Sequence, residues 1–343
     1  MRSRKSLLVI VTLASLVVIA ISTLARSSQG HFNLPFAKKV DYNSISGIEG
    51  SDGPVLVVKI DDTPFARPQV GIDEADLVYI EQVEGGLTRL AAVFSRSIPQ
   101  KIGPVRSARI TDIELLSQYG YVAFAYSGAQ SKLRPVLAAS NFKDVGAEKA
   151  GPMYYKNDPL RNPPYAMMFD APAMMKKLSD DGIPIARSRS MGWSFGERPE
   201  SGTAITSAKV SWPASSYTLT WSKAEDRWLI SNSGVENFAA SRKHLGASTF
   251  VIQLVEITPS EYRDRGGGVT PLSHVIGSGA GFILRDGFMY PARWERESQD
   301  SGTRWSDMSG NEITFARGQI WIALTDKAPL FEVAGSGLAS GDK

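Results

Sequence analysis

A run of apolar and small residues fills positions 6–24, with Arg2, Arg4 and Lys5 before it, Arg26 behind it and no acid nearby. Roughly twenty helical residues cross the hydrocarbon core of a bilayer, so this run reads as a single N-terminal transmembrane helix. The basic cluster ahead of it favours a cytoplasmic N-terminus. A cleaved secretory signal is the rival reading, because Ser22, Ala25 and Ser27 are small enough for a cleavage site. Such signals carry shorter apolar cores, of roughly 7–15 residues. Both readings place the rest of the chain outside the cytoplasm, and the uncleaved helix holds it at the cell membrane in a single pass.

The 343 residues contain no cysteine, which excludes a lipobox anchor, thiolate chemistry, cysteine-ligated zinc and disulfides. An exported chain of this kind must be stabilised by its core, and its length is that at which single cores split into two domains. The formal charge is +3. Arg2, Arg4, Lys5 and Arg26 belong to the membrane segment and its flanks, and the part beyond them is near −1. The basic face that a nucleic-acid partner needs is therefore not supported.

Residues 27–53 are rich in Ser, Gly, Asn and Lys and read as a tether. The run 54–60 is short, apolar and β-branched, as in a strand buried on both faces, and it ends in Asp61 and Asp62. Further strands are expected at 75–80, 87–94 and 121–126, and helices at 107–119, 130–139 and 172–181, with Thr111 and Glu114 at capping-box spacing. This pattern predicts an α/β or α+β N-terminal domain with a mixed sheet over 54–200. From Thr203 the pattern alternates, with Tyr217, Leu219 and Trp221 on one strand face and Trp228 and Ile230 on another. Strands at 250–257, 280–284, 288–290, 293–297, 312–315 and 319–324 complete a β-rich C-terminal domain over 203–326, followed by a disordered tail at 327–343. The tryptophans of this half read as sheet core, since aromatics favour pleated, half-buried surfaces.

Polar density peaks between Asp61 and Arg109. Arg106, Ser107 and Arg109 enter a helix, where unpaired N–H groups favour an anion, and an arginine fork can clamp a carboxylate or phosphate bidentately. Asp62, Arg67, Glu84, Arg89 and Arg161 complete the expected ligand-binding set. The competing reading pairs Arg67, Arg89, Arg106 and Arg109 with Asp61, Asp62, Glu81 and Glu84 in a buried ion network.

Several stretches carry a family resemblance: VVKIDDTPFARPQVGIDEADLVYIEQVEGGLTRLAAVF, KIGPVRSARITDIELLSQYG, AYSGAQS, GSGAGFILRDG and SGNEITFARGQIWIAL. The chain resembles the YerB-like lipoprotein family, built of N- and C-terminal DUF3048 domains. The resemblance implies two domains, an envelope location and no established activity. Two departures stand out. The lipobox cysteine of the family is absent, and Tyr165 and Ala166 occupy the place of a His-Asn pair after Arg161-Asn162-Pro163-Pro164.

Function is expected along one of three lines. The first is a non-catalytic envelope protein binding an anionic or cell-wall-derived ligand in an Arg/acid-lined cleft. The second is an envelope hydrolase using Asp61 or Asp62 with Glu84 as acid and base, with or without a divalent cation. The third is an assembly scaffold. His31, in the tether, His244, in an expected surface helix, and His274, flanking a strand, lack ligand spacing to one another, and no protein metal site is expected. Ser127 lacks the nucleophile-elbow glycine, and Ser131 with Lys132 lacks S-x-x-K spacing. No cofactor is implied, and the oligomeric state is open.

Overall fold

The short apolar runs of the first half are continuous rather than alternating, and continuous runs suit strands covered on both faces. They form β1 (Leu56–Asp61), β2 (Leu77–Gln82), β3 (Thr88–Phe94), β4 (Val122–Ala125) and β5 (Phe142–Asp144), then a hairpin of β6 (Tyr155–Asn157) and β7 (Met167–Phe169). Four helices lie among them: α1 (Thr111–Ser117), α2 (Arg134–Ala139), α3 (Ala147–Ala150) and α4 (Ala171–Asp180). The second half is strand-rich: β8 (Thr203–Trp212), β9 (Ser215–Ser222), β10 (Arg227–Asn232), β11 (Val235–Glu236), β12 (Gly246–Ala247), β13 (Thr249–Leu254) and β14 (Ile257–Arg263). It continues with β15 (Val269–Ser273), β16 (Gly277–Arg285), β17 (Phe288–Arg296), β18 (Arg304–Ser306), β19 (Ile320–Thr325) and β20 (Leu330–Val333). This computed structural model describes residues 40–264 and 266–335. The apolar run at 6–24, His31, the tether up to residue 39 and the end of the tail lie outside the described residues. Among the described residues no helix is long and apolar enough to cross a membrane.

One mixed sheet runs through both halves in the order β11-β10-β9-β8-β17-β16-β13-β19-β2-β3-β1-β4-β5. The two halves meet where β19 lies parallel to β2, with Ile320 opposite Leu77 and Ile322 opposite Tyr79. On its other side β19 is parallel to β13. Alternate side chains of these central strands enter two apolar clusters, one on each face, as the two-residue period of a strand requires. Val58, Val78, Leu90 and Trp321 join Met174 and Leu178 of α4 and Leu219 and Trp228 of the second half. Val57, Tyr79, Ala91 and Ile322 join Leu115 and Leu116 of α1 and Leu137 of α2.

Several expectations are corrected. The tether ends early: Ile45 and Ser46 are fully buried, and the Ser46 hydroxyl donates to Asp76 Oδ1 at 2.9 Å. The tail is partly structured, since β20 pairs with β8. The helix expected at 107–119 forms only over α1, and Thr111 does not cap it; its hydroxyl instead accepts a hydrogen bond from Ser273 N at 3.1 Å. Likewise α2 begins at Arg134 rather than 130. The two strands expected at 288–290 and 293–297 are the single strand β17, Phe288–Arg296, across Pro291, and 312–315 make only isolated bridges. His244 lies in a bridge to Phe238, not in a helix.

Because β19 supplies both neighbours' backbone partners, Trp321→Ala opens a cavity at the junction of the halves, and a loss of about 3–5 kcal/mol is expected. Urea titration followed by circular dichroism should show one transition moved to lower urea. Two separated transitions would contradict the shared sheet.

Candidate functional site

At the carboxyl end of β1 the apolar rows of the sheet give way to charge. Asp61 stands opposite Arg89 of β3, which stands opposite Glu81 of β2, so three charges lie in one row across three strands. In the next row Lys59 and Tyr79 both flank Ala91. The methyl side chain of Ala91 leaves room for Lys59 to reach over β3, where its Nζ donates to Glu81 Oε1 and, at 2.8 Å, to Asp112 Oδ1 of α1. All three are fully buried. Burial pulls the Lys59 ammonium down to about 8, and Asp112 acts against that fall. The other Asp112 oxygen accepts from Arg109 N at 2.6 Å and so ties the loop at 106–109 to the start of α1.

Adjacent residues of an extended chain point to opposite faces, and this separates the two expected acids. Asp61 shares the face of Lys59 and meets Arg106 Nε at 2.7 Å and Arg89 Nη1 at 3.5 Å. Asp62 lies on the other side. It accepts from the Thr88 hydroxyl and from Asn232 Nδ2 of β10, at 3.2 and 3.1 Å to its two oxygens, and pairs with Arg67 at 3.4 Å. Burial pushes the Asp62 carboxyl up, against the pull of Arg67 and Thr88.

Glu84 forms a third centre. Arg109 donates to its Oε2 from Nε at 2.9 Å and from Nη2 at 2.7 Å, while the Thr270 hydroxyl of β15 donates to Oε1. Burial would raise Glu84, but Arg109 and Thr270 outweigh it and hold the carboxyl below its usual range. The turn that carries Glu84 needs its glycines: Gly86 has φ +72°, and a Cβ there would lie 2.5 Å from Pro213 Cβ. Asp61, Asp62 and Glu84 therefore serve three centres with different partners, and the expected acid–base pair is not formed. Among the described residues no group of three or more His, Cys, Asp or Glu could hold a metal ion.

Arg89 is nearly buried; burial, and then Arg106 and Arg109 nearby, lower its hold on a proton while Asp61 supports it. Its Nε, Asp61 Oδ2 and Arg106 Nε are buried without hydrogen-bond geometry to any partner. Arg106 reaches outward, its Cζ 5.7 Å from the centroid of the Tyr165 ring. Tyr165 belongs to a cleft of about 480 Å³ lined by Phe65, Arg67, Asp158, Arg161 and Asn162 among others. Arg161 is a clamp here, donating to Ala66 O at 2.8 Å and Pro68 O at 2.5 Å. Ser107 is half-buried, and its carbonyl accepts from Arg109 Nη1 at 3.3 Å. The Arg67–Pro68, Gly103–Pro104 and Pro163–Pro164 bonds near this cleft are cis.

Sequence reasoning missed Asn232 and Thr270, which come from the second half and carry no local signal. It also missed Phe65, whose one signal is an aromatic residue set between prolines in a polar loop.

Residues 45–184 match the family described as Protein of unknown function (DUF3048) N-terminal domain, and residues 208–322 match its C-terminal domain. The chain belongs to this family. Over 115 residues it is 34% identical to the Bacillus subtilis (strain 168) protein named "Putative lipoprotein YerB", a match covering 33% of each chain, so the aligned part spans about a third of that relative. The crystal structure of YerB from Bacillus subtilis superimposes with a TM-score of 0.71 at 18% identity, covering 85% of this chain and 99% of that one. At that identity the likeness is one of fold: the DUF3048 halves share a single mixed sheet, and Glu84 lies where Arg109 and Thr270, from different halves, converge.

Glu84→Gln should lower stability at pH 7 by about 2–3 kcal/mol, the scale of hydrogen bonds to a charged group. Because the native carboxyl titrates below its unfolded value, its contribution is present above about pH 4.5. It is lost as pH falls through the native value. Urea titrations of both proteins from pH 7 to pH 3 should show the gap closing on the acid side; a gap independent of pH would contradict the ion pair.

Proposed function

We propose that this chain is a membrane-anchored, extracytoplasmic envelope protein that binds an anionic, cell-wall-derived ligand at the cleft lined by Arg67 and Tyr165, beside Arg106, which lies over the Tyr165 ring. The apolar run at 6–24 and the lipoprotein named among its relatives support the location. One observation carries the binding reading. Arg109 and Arg161 commit their guanidinium groups to hydrogen bonds within the protein, whereas Arg106 holds Asp61 through Nε alone and directs no hydrogen bond from either Nη to the described residues. Asp61 already answers Arg89 as well. The Nη donors of Arg106 therefore remain for a ligand, and a carboxylate or phosphate there would complete the fork.

The acids support binding over hydrolysis. Each of Asp61, Asp62 and Glu84 is buried and held by an arginine, and a catalytic carboxylate needs access to substrate.

A ligand that binds only the native state raises its melting temperature. Solubilised cell-wall fragments should raise that of the full chain by several degrees, less so at high salt as screening weakens the ion pair, and Arg106→Ala should abolish the rise. No shift with any anionic fragment, or an equal shift in Arg106→Ala, would reject the proposal.

A further inference from the structure

We infer that the ligand of this cleft is an acidic glycan, its sugar ring resting on the wall formed by Phe65 and Tyr165 and its carboxylate on Arg106. This rests on the anion-binding reading above and narrows it. The Phe65 and Tyr165 rings lie 5.5 Å apart at 32°, packed against each other, so they form one continuous wall with no slot between them. Such a wall stacks on one face of a ligand only. Phe65 is 74% exposed and neighbouring Leu160, in the same lining, is 92% exposed. Adjacent apolar side chains held in water at the mouth of a polar cleft are the mark of a contact surface.

The remaining groups define what lies beside that face. The Arg106 Cζ lies over the Tyr165 ring, 5.7 Å from its centroid, so an anion on Arg106 is held beside the aromatic wall, whose open surface is that of the exposed Phe65. Asp158 and Asn162 add a carboxylate acceptor and an amide that both donates and accepts, which suits vicinal hydroxyls. Arg161 ties the loop carrying them to the carbonyls of Ala66 and Pro68 and to Asp158, so the wall is set before any ligand arrives. Ring face, hydroxyl edge and carboxylate occur together in a uronic acid or a lactyl-bearing amino sugar. Free phosphate meets only the last of these demands. The cleft volume of about 480 Å³ lies within the range of small-ligand sites, roughly 300–1,000 Å³.

Calorimetric titration of the detergent-solubilised full chain tests this. The probes are a galacturonate trisaccharide, a peptidoglycan glycan with free lactyl carboxylates, neutral cellotriose and acetate. At least one acidic glycan should bind more than tenfold tighter than both cellotriose and acetate. Phe65→Ala, at an exposed position that leaves the fold intact, should weaken that glycan about tenfold or more without changing acetate, whereas Arg106→Gln should weaken both. Acidic glycans that bind no tighter than acetate, or that ignore Phe65→Ala, overturn the glycan assignment and leave anion binding standing. Cellotriose binding as tightly as the acidic glycans overturns the role of Arg106. No binding by any anionic probe overturns both readings.

Discussion

Burying Lys59 in the middle of a sheet is tolerable only because its charge is answered at once, by Glu81 across β3 and by Asp112 at the head of α1. Removing Lys59 would leave two buried carboxylates without their cation, a kind of change that typically costs about 3–5 kcal/mol. The small side chain of Ala91 is as much a part of this arrangement as the charges, since any bulkier residue in that row would block the path from β1 to β2. From this anchor the rest of the polar patch follows. Asp112 fixes the backbone of Arg109, Arg109 fixes Glu84, and Glu84 takes in Thr270 of the second half.

The patch is charge-matched as a whole. Asp62 with Arg67, and Glu84 with Arg109, are pairs in the ordinary sense. Lys59 with its two acids balances Asp61 with its two arginines. What is left at the edge is the unused donors of Arg106, which is more exposed than Arg89 and lies over the Tyr165 ring. A scaffold of ion pairs thus holds one incompletely used guanidinium in a fixed place, as the proposed anion site requires.

Much of this was legible in residue order. The buried strands of the first half announced themselves by continuous apolar runs, and the charged motifs between them marked where the sheet ends. What sequence could not supply was side and distance. Asp61 and Asp62 read as a pair, yet the alternation of a strand sends them to opposite faces. The helix start at 107–119 was misplaced because Asp112 and Ser273, rather than a local capping box, satisfy the groups involved. Asn232 reaches Asp62 from 170 positions away, and no periodicity encodes such a meeting. Tyr165 looked like the loss of a histidine; in the fold it is the ring beneath Arg106.

The placement of β19 has a consequence for the order in which the protein can come into being. Until residue 325 has left the ribosome, β2 and β13 each lack a neighbour, and the strand that separates them does not exist. The emerging chain thus keeps the edge of β2 open from residue 82 and that of β13 from residue 254, and open edges recruit other strands. Non-local pairing of this kind is also slow to form. The last few dozen residues act as a keystone, and shielding those edges in transit falls to whatever accompanies the unfinished chain.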